Sequence, residues 1–131
     1  MHILPLYAAV LALIFVVLGL RTAGLRRSLR IAIGHGRNEE MLRAVRVHSN
    51  FAEYVPFGLL LIYFVEARAA SPVLVHFLGL CLVAGRISHA FGVSRLKEKY
   101  VFRIFGMVMT ITVLVAAAGY LLWSWVYRVM G

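Results

Sequence analysis

Carboxylates are scarce in this chain. Its 131 residues hold five Asp and Glu against 14 Lys and Arg, for a formal net charge of +9. Cysteine occurs once, as Cys81, which rules out an intramolecular disulfide and reads most simply as a small packing residue. The histidines have no carboxylate or thiol at ligand spacing, so no metal site is expected. No internal repeat or low-complexity tract is present. The opening Met1-His2-Ile3 lacks the basic start of a cleavable signal peptide, so the first apolar run is expected to persist in the mature chain.

Apolar side chains are what the sequence has in excess. They make up 63% of the residues, and the mean hydropathy is +0.89. One soluble domain of this length cannot hide that many. A spanning helix needs about 20 mostly apolar residues, and four runs approach that length: Ile3 to Leu20, Phe51 to Val65, Pro72 to Val93 and Val101 to Val126. A chain in lipid must satisfy its backbone internally, so the runs predict an all-α, integral membrane four-helix bundle. The helices are expected at about 3–22, 39–65, 72–93 and 101–127, in one domain covering 1–131.

Asn38, followed by Glu39 and Glu40, reads as an N-cap with acidic residues in the first turn. The second helix therefore begins well before its apolar run and, at roughly 40 Å, exceeds the hydrocarbon core. The basic residues concentrate in residues 21–46 and in Arg95, Lys97, Lys99 and Arg103. By the positive-inside rule, loops 1 and 3 are expected in the cytoplasm, with loop 2 and the termini outside. This charge reads as topology; no nucleic acid is expected as a partner. Small residues at Cys81, Gly85, Ser88 and Gly92 form a stripe suited to close helix contact in lipid. Tyr7 is expected in an interfacial belt.

The chemistry-bearing segment runs from Arg43 to Pro56. Arg43, Arg46, Asn50, Glu53 and Tyr54 recur at helical spacing and share a face. A carboxylate as deep as Glu53 avoids lipid. It either neutralises an arginine (Arg46, Arg86 or Arg103) or holds a ligand such as an ammonium group. His48 points away from that face, toward either headgroups or a site shared with a neighbouring subunit. Pro56 frees the carbonyl of Ala52 and is expected to kink the helix and open a pocket. Arg86 and His89 share a face of the third helix, and the simplest partner for Arg86 is Glu53.

With these residues in view, the chain resembles the MAPEG family, the membrane-associated proteins in eicosanoid and glutathione metabolism. The resemblance is carried by Arg46-x-x-x-Asn50-x-x-Glu53-Tyr54-x-Pro56, by Gly34-x-Gly36-x-Asn38-Glu39 and by Gly85-Arg86-x-x-His89-Ala90-x-Gly92, in the manner of the bacterial branch. It implies a homotrimer in a bacterial inner membrane, with glutathione bound between subunits as a co-substrate and no resident cofactor. It implies that Arg46, Asn50, Glu53, Tyr54 and His89 contact glutathione, and that His48 does so from the neighbouring subunit. The thiol-activating arginine of the family falls near Lys99-Tyr100-Val101-Phe102-Arg103, where Arg103, or Lys99 by a small shift, would stabilise the thiolate.

The implied activity is a glutathione transferase or peroxidase acting on lipophilic electrophiles. The alternative is a non-catalytic lipid-binding or scaffold protein of the same fold. Small drug exporters share the helix count and length, but they need a carboxylate in helix 1, which this chain lacks.

Overall fold

Lipid offers the backbone no water to bond to, and helices answer that demand locally. In the computed structural model, which describes residues 2–97 and 99–130, the elements are α1 (Leu4–Leu29), α2 (Glu39–Ala67), α3 (Pro72–Val93) and α4 (Tyr100–Met130). Among the described residues there is no strand, and the architecture is an all-α membrane bundle of four helices. Met1, on which the signal-peptide expectation partly rests, lies outside the described residues.

Among the described residues, three helices, α1, α3 and α4, are long and apolar enough to cross a bilayer by themselves. α2 falls short of that standard, although its apolar half suggested a fourth spanning run. Glu39, Glu40, Arg43, Arg46 and Glu53 dilute its first half, and that half carries the candidate site.

The helix ends follow their capping chemistry. Asn38 Oδ1 accepts the Met41 N–H at 2.9 Å, with Glu39 and Glu40 in the first turn of α2. Ser71 does the same for α3, accepting from Leu74 N at 3.3 Å ahead of Pro72. α1 continues past its expected end at 22 to Leu29 and stops at Arg30, which takes a left-handed conformation (φ 55°). Leucine and arginine are good helix formers, so the helix outlasts its apolar run. Arg26 then folds over the following turn and donates to the carbonyls of Ile31, Ala32 and Gly34. Gly36 closes this turn at φ +56°, and a Cβ there would press on the Ile31 side chain at 2.8 Å.

α3 and α4 pack most extensively of all the helix pairs. A Cβ on Gly85 would meet the Gly106 carbonyl oxygen at 3.0 Å, and one on Gly106 would run into the backbone of Gly85 and His89. Gly92 lies equally close to the backbone of Arg103. The glycines of the small-residue stripe therefore hold two helices of the same subunit together.

The two ends of the bundle are tied differently. At the end formed by α1 and α3 C-termini and α2 and α4 N-termini, Arg21 donates to Ser94 Oγ at 2.6 Å and to its carbonyl at 3.3 Å. Arg43 donates to the Val93 carbonyl at 3.4 Å. Cations thus meet the negative end of the α3 dipole. At the other end, Glu66 accepts the N–H groups of Ile3 and Leu4, meeting the positive end of α1, with His2 at 3.8 Å. Tyr7 is buried there rather than interfacial. Its hydroxyl shares a 2.7 Å hydrogen bond with His76 Nδ1, and its ring lies flush on Gly79.

Candidate functional site

The polar half of α2 faces α3 and α4 across a cavity of about 340 Å³. Its walls are Glu39, Leu42, Arg43, Arg46, Ser49, Asn50 and Glu53 from α2, His89 and Val93 from α3, and Arg103 from α4. Three arginines and two glutamates thus share one space near the end of the bundle where the basic loops lie. The helical spacing of Glu39, Arg43, Arg46, Asn50 and Glu53 explains their common direction. Arg103 joins them because Gly92 lets the first turn of α4 lie against α3.

Arg86 stands behind this wall and is fully buried. Its Nη2 donates to Asn50 Oδ1 at 2.6 Å and to His89 Nδ1 at 3.1 Å; Nη1 reaches Thr110 Oγ1 at 3.5 Å. The guanidinium carbon sits 5.8 Å from the ring centroids of both Phe51 and Tyr54, within cation–π range. No carboxylate of the described residues lies within 4 Å of it, and its Nε has no hydrogen-bond partner. The expected Glu53–Arg86 pair is therefore absent within the subunit. Asn50 lies one turn before Glu53 on α2 and takes the guanidinium first, while Glu53 remains exposed on the cavity wall. An arginine cannot accept a hydrogen bond, so His89 Nδ1 accepts, and the neutral imidazole carries its proton on Nε2.

The candidate residues divide three ways. Arg46, Asn50, Glu53, His89 and Arg103 come together on the cavity. Tyr54 does not line it; its ring supports Arg86 from behind. His48 lies on the other side of α2, stacked on Phe15 of α1 with ring centroids 4.6 Å apart, and its Nε2 is buried without a partner.

Of the two cations considered for the thiol, only Arg103 lines the cavity. The Lys99 ammonium sits on the far flank of α3 and α4, over the rings of Phe91 and Phe102 at 5.8 and 5.9 Å. Pro56 leaves α2 helical throughout and borders a separate apolar cleft of about 200 Å³ between α1 and α2. Arg43, placed on the shared face by its spacing but given no ligand role, lines the cavity, as does Ser49, which the sequence reading passed over. The signal for Arg43 lay in its i, i+3, i+7 relation to Arg46 and Asn50.

Comparison with known proteins decides the family. A sequence profile described as the MAPEG family matches residues 4–123. The chain belongs to the MAPEG family. This MAPEG protein is also similar to the inner membrane protein YecN of Escherichia coli strain K12. The two are 37% identical over 87 residues, a stretch covering 66% of this chain and 66% of the relative. The YecN protein of the O6:H1 strain matches to the same extent. The matched stretch thus spans just under two thirds of the length of these relatives.

Proposed function

We propose that this MAPEG protein is a membrane-bound glutathione transferase or peroxidase that acts on lipophilic electrophiles. One observation carries the reading: Arg46, Asn50, Glu53, His89 and Arg103, drawn from three helices, share a single basic cavity. Its volume of about 340 Å³ lies in the ordinary range of small-molecule sites, roughly 300–1,000 Å³.

Glutathione brings two carboxylates, one ammonium and one thiol. Arg43 and Arg46 suit the carboxylates through charge-assisted hydrogen bonds. Glu53, exposed on the wall and not bonded to Arg86, suits the ammonium. A thiol of ordinary pKa near 8.5 is mostly protonated at neutral pH. Arg103, beside the positive N-terminal end of α4, favours the thiolate by direct charge and by the helix dipole. The thiolate then attacks the electrophilic carbon of the second substrate. A C–S bond forms, and the leaving group departs with its electron pair. The second substrate is apolar and arrives from the bilayer.

The reading extends to a homotrimer in the inner membrane with loops 1 and 3 in the cytoplasm. It draws support from the family, from the similarity to YecN, an inner membrane protein, and from the positive charge of both loops. The test is a glutathione titration of the purified protein, monitored by thiolate absorbance. Arg103→Ala is expected to keep most of the affinity and to lower the thiolate fraction at neutral pH. An unchanged thiolate fraction in that variant would remove Arg103 from the chemistry.

A further inference from the structure

The α3/α4 seam has two flanks. Arg86, His89 and Val93 lie on the flank that faces α2 and the cavity. Successive helix positions turn by about 100°, which carries Cys81, Ser88 and Phe91 to the opposite flank. Phe102, Met109 and Ala116 of α4 flank the seam on that same side, away from Arg103 and Thr110.

At the basic end of this second flank, Phe91 and Phe102 meet edge to face with centroids 5.2 Å apart. Ser88 Oγ donates to the Phe102 carbonyl at 2.8 Å, which ties the two helices together there. Arg95 lies 4.6 Å over the Phe91 ring, and Lys99 lies within 6 Å of both rings. Arg95 and Lys99 are exposed, and among the described residues neither comes within 4 Å of a carboxylate. Aromatic faces hold both cations and leave their N–H donors available to a ligand. Farther along the same flank is an apolar cleft of about 130 Å³, with Phe77 and Cys81 on one wall and Met109 and Ala116 on the other. Cys81 lies about 15 Å along α3 from Phe91, and Ala116 about 21 Å along α4 from Phe102.

We propose that this flank binds one anionic phospholipid of the surrounding bilayer. Arg95 and Lys99 would take its phosphate, and one acyl chain would run along the α3/α4 seam into the cleft. Three features select this occupant. Two exposed cations with no carboxylate within 4 Å among the described residues attract an anion. Half-exposed aromatic rings at the level of the loop suit the headgroup boundary. The cleft is apolar, opens on the flank of the seam away from α2 and lies one acyl-chain length from the cations. The site is separate from the cavity, so its fate and that of the proposed function are independent.

Cys81, the one cysteine of the chain, stands in the cleft and reports on its occupancy. The rate of its modification by N-ethylmaleimide is measured on the full-length protein in detergent, during titration with dioleoyl phosphatidylglycerol. Protection is expected, with dioleoyl phosphatidylcholine protecting at concentrations on the order of tenfold higher. Dihexanoyl phosphatidylglycerol, whose tails stop short of the cleft, is expected to leave the rate unchanged. Arg95→Gln with Lys99→Gln should abolish the preference for the anionic lipid. Arg27→Gln with Arg30→Gln removes the same charge from loop 1 and should preserve it. Equal protection by the two dioleoyl lipids, protection by the short-chain lipid, or an equal loss in both double variants would each overturn the proposal.

Discussion

Two of the contacts that α3 makes inside the subunit, with α4 and with α2, are built on opposite principles. Against α4 it offers glycine, and the backbones touch at Gly85, Gly92 and Gly106. Against α2 it offers long polar side chains, and Arg86 reaches Asn50 across the space that separates them. Where the glycines meet, the first contact leaves no space between the backbones, while the second leaves a cavity of about 340 Å³ beside it. In lipid, close backbone approach is a main source of helix association. The seam can therefore carry the stability of the pair while the α2 side holds charged groups in position.

This contrast breaks most readily at Gly106. A leucine there would collide with the backbone of Gly85 and His89, and backbone in a packed helix cannot move aside as a side chain can. Gly106→Leu is expected to cost more than about 3 kcal/mol and to remove folded protein from detergent extracts, as read by size-exclusion chromatography. A monodisperse variant with wild-type melting behaviour would show that the seam is not the rigid element.

The α2 contact is expected to give way by less. Asn50→Leu strips the buried Arg86 of its shortest hydrogen bond, at a cost of about 1.5–3 kcal/mol. Asn50→Asp would restore an acceptor and add a charge, so its melting temperature should equal or exceed that of the wild type. Melting curves in detergent check both variants, and indifference to Asn50→Leu would mean that Arg86 is held by its aromatic neighbours alone.

The smallest structural effect is expected at Arg46, which is exposed on the cavity wall. Arg46→Ala should leave melting unchanged and weaken glutathione binding roughly tenfold to a hundredfold, the loss of one charge-assisted anchor. Calorimetric titration measures it. Unchanged affinity would detach the cavity from the proposed ligand while leaving the contrast in stability intact.

Much of this arrangement was legible in particular residues. The spacing of Arg46, Asn50 and Glu53 announced their common face, because helix geometry is local and repeats. Asn38 and the two glutamates after it announced where α2 begins. The end of α1 was not legible, since hydropathy drops at Arg21 while helix propensity continues to Leu29. Tyr7 looked interfacial by position, yet it is buried by a hydrogen bond to His76, 69 residues away. The stripe through Gly85 and Gly92 was legible as a contact surface, but its partner was not.

The sequence by itself determined that the chain lies in a membrane, that it is helical, and that α2 gathers its polar residues on one face. Each of these follows from composition or from a period of a few residues. Only the tertiary structure decided that Asn50 rather than Glu53 takes Arg86, that Arg103 rather than Lys99 lines the cavity, and that His48 stacks on Phe15. The physical reason is rotation. A helix's own pattern states which residues share a face, but the direction of that face is set by how its neighbours pack. Here the glycines of α3 and α4 set that packing: by bringing two backbones into contact, they put Arg103 on one flank of the seam and Lys99 on the other.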